Sequence, residues 1–138
     1  MFDGATTVLE REEEVPALVA RADRAHRAVG RAQLELLGAI GQVDRAGAWG
    51  GDEVHSCAHW VQLRYGVSAW KAQRWVAAAR ELEVLPVVSE ALGTGELGVD
   101  KVVELTRFAS PRTEGGLVGW AQRVSSGAIR HRADLEVR

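Results

Sequence analysis

The run WVQLRYGVSAWKAQRWVAAARELEVLP, residues 60–86, holds two helical patterns separated by one glycine. Upstream of it, Ser56 is a good N-cap for a helix carrying Ala58, Trp60, Val61 and Leu63 as far as Tyr65. Gly66 stands where a left-handed residue is wanted to end that helix. After Val67, Ser68 can cap a second helix reaching about Val84, with Ala72, Trp75, Val76, Ala79 and Leu82 along its inner face. Leu85-Pro86 marks its boundary, because the residue before a proline avoids the helical region. Helix, Gly66-Val67-Ser68 and helix together have the tight geometry of a helix-turn-helix.

Working outward from this pair, the same three-four periodicity recurs on both sides. Upstream, Leu18, Ala22, Ala25, Val29, Ala32, Leu36, Ile40 and Val43 predict one long helix from about Pro16 to about Ala46, roughly 45 Å in length. Pro16 suits its first turn, and Gly47 with Gly50-Gly51 stops it. Residues 1–14, with Glu10, Glu12, Glu13 and Glu14, read as a frayed acidic arm. Downstream, a short helix is expected from Pro86 to about Leu92, and another from Val99 to about Ala109. Ser110-Pro111 is expected to open a sixth through Leu117, Trp120, Ala121 and Val124. The Arg-rich end, Ser125 to Arg138, looks helical as well. With no strand alternation, the fold class is all-α: a long N-terminal helix packed with about six shorter ones. The expected organisation is an arm at 1–14, a helical domain at 15–125 and a C-terminal helical stub at 126–138.

Composition narrows the function. A chain of 138 residues is one domain or a piece of one, with no room for a second catalytic module. Its 17 basic and 19 acidic residues give net charge −2, so no global basic field draws it to nucleic acid and any such contact must be local. Of the basic residues fifteen are Arg, and there is no Asn at all. A single cysteine, Cys57, excludes an internal disulfide and fits a reducing cytoplasm. No apolar run reaches the ~18 residues of a membrane span, and the acidic start does not resemble a signal peptide, so a cytoplasmic protein without membrane contact is expected.

The candidate binding residues lie at the start of the second helix of the pair. In a DNA-binding helix-turn-helix that end enters the major groove, which here presents Ser68, Trp70, Lys71, Gln73 and Arg74. Gln73 suits an adenine edge and Arg74 a guanine or a phosphate. Two adjacent core helices joined by a glycine would show the same pattern without touching DNA. Trp70 falls nearly opposite Ala72 and Val76, on the outer stripe with Arg74 and Glu81. Its indole is either covered by the long first helix or offered to a partner, and Arg74, four residues on, can stack on it. Arg21, Arg24, Arg27 and Arg31 form a basic stripe on the first helix; Arg27 and Arg31 are the candidates there to neutralise phosphates, against the plainer reading of a solvated face. A second basic cluster, Arg123, Arg130, His131 and Arg132, reads as neutralising Asp134 and Glu136 or as docking onto a further segment.

His55, Cys57 and His59, with Asp52 ahead of them, gather potential metal ligands. The catalytic pattern of paired histidines also wants a glutamate beside the first, however, and Ser56 stands there. No metal site or cofactor is expected. Neither a nucleophile elbow nor a glycine-rich phosphate loop is present, so no catalytic residue is expected either.

Ser56, Trp60-Val61, Gly66, Ser68, Ala72, Val76, Ala79, Arg80, Leu82, Leu85 and Pro86 carry a family resemblance. Ala91, Gly95, Leu97-Gly98, Glu114, Leu117 and Ala121 continue it. From the long first helix to about residue 125 the chain resembles the domain-of-unknown-function 222 family, also called the 13E12-repeat family. The resemblance implies the N-terminal helical region of proteins that commonly end in an HNH endonuclease domain, whose chemistry uses histidine, asparagine and a metal ion. After residue 125 this sequence has only His131 and no Asn, so it departs from the family's pattern there. It is read as a fragment, a split gene product or a stand-alone module. The expected function is a non-catalytic, HNH-associated helical module that assists DNA binding. The alternative is a protein-interaction or oligomerisation module without nucleic-acid contact, whose long first helix pairs with a second copy or with the missing nuclease domain.

Overall fold

A computed structural model describes residues 4–137, with side chains from Arg11 onward apart from Glu13. Among the described residues there are seven helices and no strand: α1 (Gly4–Ala46), α2 (Cys57–Tyr65), α3 (Ala69–Leu82), α4 (Pro86–Thr94), α5 (Val99–Leu105), α6 (Glu114–Ala121) and α7 (Ser126–Glu136). No helix among them is long and apolar enough to cross a membrane.

The helix-turn-helix pair forms as its sequence dictates. Ser56 Oγ accepts from His59 N at 3.0 Å and Ser68 Oγ from Lys71 N at 3.1 Å, each taking up an amide that the helix itself cannot satisfy. Gly66 adopts φ 70°, the left-handed conformation that ends α2, and its N–H donates to Gln62 O. α3 then buries Ala72, Trp75, Val76, Ala79 and Leu82. These meet Leu37 and Ile40 of α1, Val61 of α2, Val88 and Leu92 of α4, and Val102 and Leu105 of α5 in one apolar core, which Ala121 and Ile129 close from α6 and α7. α1 packs on α3 and α4, α2 on α3, and α7 on α5.

The ends of α3, α4 and α6 shift by two or three residues from the sequence-based expectation, to Leu82, Thr94 and Ala121, and three other boundaries differ for a visible reason. The first concerns α1, which begins at Gly4 and carries Pro16 inside it, so residues 4–14 of the expected arm are helical. Ala5, Leu9, Glu10, Arg11 and Glu12 are all good helix formers, and the surroundings of Pro16 are open, so water can take the Glu12 carbonyl that the proline leaves unpaired. Residues 1–3 of that arm, and Arg138 of the expected stub, lie outside the described residues. The second is α5, which stops at Leu105 rather than Ala109. There Thr106 Oγ1 turns back to donate to Val103 O at 2.9 Å, and the chain tightens through Arg107 N to Glu104 O and Phe108 N to Leu105 O. The third is α6, which opens at Glu114, leaving Pro111 outside it. Ser110 and Pro111 occupy the first two positions of a turn closed by Thr113 N to Ser110 O at 3.0 Å, where a proline's preset φ is favoured.

Two long-range contacts lock the elements together. α4 has Leu85 at its N-cap and no cap of its own side chain, so its first amides need an acceptor from elsewhere. Glu114, at the start of α6 and 3% exposed, supplies it: Oε1 accepts from Val87 N at 2.7 Å and from Val88 N at 2.9 Å. α1 reaches α4 most closely at Gly30, where a methyl group would overlap the Leu92 carbonyl oxygen. Gly30 is also the first buried position of α1: from Arg11 to Val29 every described side chain is exposed.

Candidate nucleic-acid contact face

Five of the seven sequence-chosen binding residues sit together at the start of α3. Ser68 is consumed as the N-cap and remains exposed. Gln73 is exposed. Trp70 is 47% exposed and is not covered by α1. Two guanidiniums approach its ring instead, Arg74 with Cζ 5.2 Å from the centroid and Arg130 of α7 at 4.8 Å. Lys71 Nζ lies 5.9 Å over the Trp75 ring. On α2 next door, Arg64 stands 5.5 Å over Trp60, whose edge meets Tyr65. The face thus interleaves flat aromatic rings with cations.

A groove of about 310 Å³ opens between α3, α5 and α7, walled by Trp70, Lys71, Arg74, Asp100, Glu104 and Arg130. Ser126 and Gly127, at the first turn of α7, also line it, which aims the positive end of that helix inward. Three cationic side chains face two carboxylates there, and one of the two is already engaged. Glu104 is buried, with Arg107 Nη1 at 2.8 Å and Arg74 Nε at 4.0 Å. Arg107 continues to Asp134 at 2.8 Å and holds that carboxyl below the ordinary carboxylate range. Arg74 is partly covered: its side chain is 27% exposed, with Nε 4.0 Å from the buried Glu104, rather than extended into water as its helical position alone predicts. It also borders a second groove of about 350 Å³ together with Arg80 and Arg107.

Comparison with family models, curated proteins and solved structures finds no match to this chain.

Arg27 and Arg31, the other two candidates, are not gathered with the α3 group. Both are exposed on α1, and Arg27 runs beside Gly95 at the end of α4, where the neighbouring His26 Nε2 pairs with Gly95 O at 3.0 Å. Sequence reasoning missed Arg130 as a member of the face. Its local signal, a basic run followed by Asp134 and Glu136, points to neutralisation, and the run does part of it: Arg107 pairs with Asp134, Arg130 adds to the field that lowers that carboxyl, and Arg132 lies 3.6 Å from Glu136. Arg132 also stacks on Trp120 at 4.7 Å.

The His55–His59 segment is built otherwise than a metal site. The two rings stack at 5.1 Å with 9° between their planes, and His59 Nδ1 accepts from His55 N. Cys57 points into the core, where burial pushes its thiol up. Among the described residues no three His, Cys, Asp or Glu side chains converge as metal ligands.

Proposed function

We propose that this protein is a non-catalytic helical module that contacts DNA through the start of α3 and the facing turn of α7. The observation that carries the reading is Trp70: a half-exposed indole attended by the guanidiniums of Arg74 and Arg130, with Lys71 and Gln73 on the same helix end. Guanidinium and ammonium groups neutralise phosphates, and release of condensed counterions supplies the free energy. Gln73 is the residue free to read a base edge.

The same reading takes the resemblance of residues 60–86 to the 13E12-repeat family as kinship. It makes the chain an accessory of an HNH endonuclease, acting in the cytoplasm, with any cleavage left to a nuclease domain whose asparagine this sequence lacks. The alternative, an interaction or oligomerisation module, is favoured by an observation of its own, the apolar stripe left bare along the first half of α1.

Fluorescence anisotropy of a labelled random-sequence duplex, titrated between about 50 and 200 mM salt, tests the DNA reading. With Lys71, Arg74 and Arg130 on phosphates, log affinity should fall against log salt with a slope of about −3, and Lys71→Ala or Arg130→Ala should each reduce that slope by about one. Absence of binding at low salt, or an affinity indifferent to the Lys71→Ala/Arg130→Ala pair, overturns it.

A further inference from the structure

We infer that the first half of α1 is a self-association element on which two copies of this chain pair antiparallel. From Arg11 to Val29 the helix carries no buried side chain among those described, and Val15, Leu18, Val19 and Val29 are each more than half exposed. Val15, Leu18, Ala22, Ala25 and Val29 follow one another at steps of three and four, the spacing of a coiled-coil seam. The same spacing runs on through Ala32 to Leu36 and Val43, which pack against the core. The stripe is thus partly covered by its own domain at Leu36 and Val43 and bare from Val15 to Val29. At 100° per residue the bare stripe lies about a quarter-turn from the side on which His26 and Gly30 meet α4, so a second helix can lie along it without displacing α4.

Such a helix needs a partner. Pro16 removes one of its backbone hydrogen bonds, and the β-branched Val15, Val19 and Val29 lose side-chain freedom in a helix without packing in return. In water, most helical stability comes from burying an amphipathic face.

Charge selects both the occupant and its direction. Residues 10–14 hold four glutamates and one arginine, whereas residues 21–31 hold four arginines and one aspartate. A parallel pair would set like charge against like. An antiparallel pair centred on Ala20 lays residues 10–14 of each copy beside residues 26–30 of the other, with Arg27 among them and Arg24 and Arg31 on either side, an isologous contact that closes at two chains. In that register Leu18 faces Ala22 of the second copy and Val15 faces Ala25, large against small, at matching seam positions.

The inference sharpens the interaction-module reading by naming the partner, and it uses none of the residues of the DNA reading. Light scattering of the full chain from about 1 to 200 µM should show the mass of two chains at the upper end, and Leu18→Glu should weaken pairing at least ~10-fold. Leu18 lies outside the core, so at a dilution where both are single chains the thermal unfolding of that variant should match the parent's and exclude misfolding as the cause. Direction is read by disulfide trapping. A mixture of Val15→Cys and Ala25→Cys chains should form the mixed disulfide, whereas Val15→Cys alone should not, since antiparallel pairing holds the two positions about 15 Å apart. A parallel dimer, trapped by Val15→Cys alone, overturns this proposal and leaves the broader interaction reading standing. A single-chain mass at every concentration overturns self-association and leaves the interaction reading only with a different partner, whereas a Leu18→Glu variant that pairs as tightly as the parent overturns this seam and leaves the oligomerisation reading standing. Binding of α1 to anionic lipid vesicles by a chain that stays monomeric also overturns self-association.

Discussion

Truncating Glu114 to alanine would leave the buried amide of Val88, and the part-buried amide of Val87, without an acceptor. Unsatisfied buried donors cost about 1–3 kcal/mol, so urea denaturation should show Glu114→Ala destabilised by that order, and Glu114→Gln, which keeps an acceptor oxygen, by less. Asp44 offers a second test at this scale. It takes a bidentate contact from Arg80, at 2.7 and 3.2 Å, and that guanidinium holds its carboxyl below the ordinary carboxylate range. A depressed carboxylate contributes stability that is present above the unfolded-state value and is lost as pH falls through the folded one. Between about pH 4 and pH 2 the urea midpoint of the native chain should therefore fall more steeply than that of Asp44→Asn.

At the scale of elements, the contrast between α2–α3 and α5–α6 explains what could be read in advance. Ser56, Gly66 and Ser68 act on amides and carbonyls within a few residues of themselves, so their sequence neighbourhood carries the whole signal. The ends of α5 and α6 are set by competition: Thr106 back-bonding against helix continuation, and a Ser110-Pro111 turn against a first-turn proline, two local options of similar energy that periodicity cannot rank. The crossing of α1 over α4 at Gly30 is likewise invisible in the chain, where Gly30 looks like an ordinary weak point in a helix. Gly30→Ala should push the two helices apart and destabilise the fold by about 1–3 kcal/mol, readable as a lowered urea midpoint.

For the molecule as a whole, the division of α1 at Gly30 should appear as a division in stability. From Arg11 to Val29 the described residues are all exposed, whereas Leu37 and Ile40 sit in the shared core. Hydrogen exchange on dilute protein should show a step in protection close to Gly30, with Leu37, Val61 and Val102 exchanging slowest. Uniform protection along α1 at that dilution would contradict it.

The all-helical class, the long first helix and the glycine-bent pair were determined by the order of residues alone, because caps, breakers and three-four periodicity act over a turn or two of chain. The same locality placed Trp70 on an outer stripe with Arg74. Only the tertiary structure decided that Arg130 would join them, that Glu104 would lie beside Arg74, that Glu114 would cap a helix not its own, and that the described side chains of α1 from Arg11 to Val29 would be left bare. Each of these depends on which distant surfaces meet when the core closes, and the charge or spacing of any one segment holds no record of that meeting.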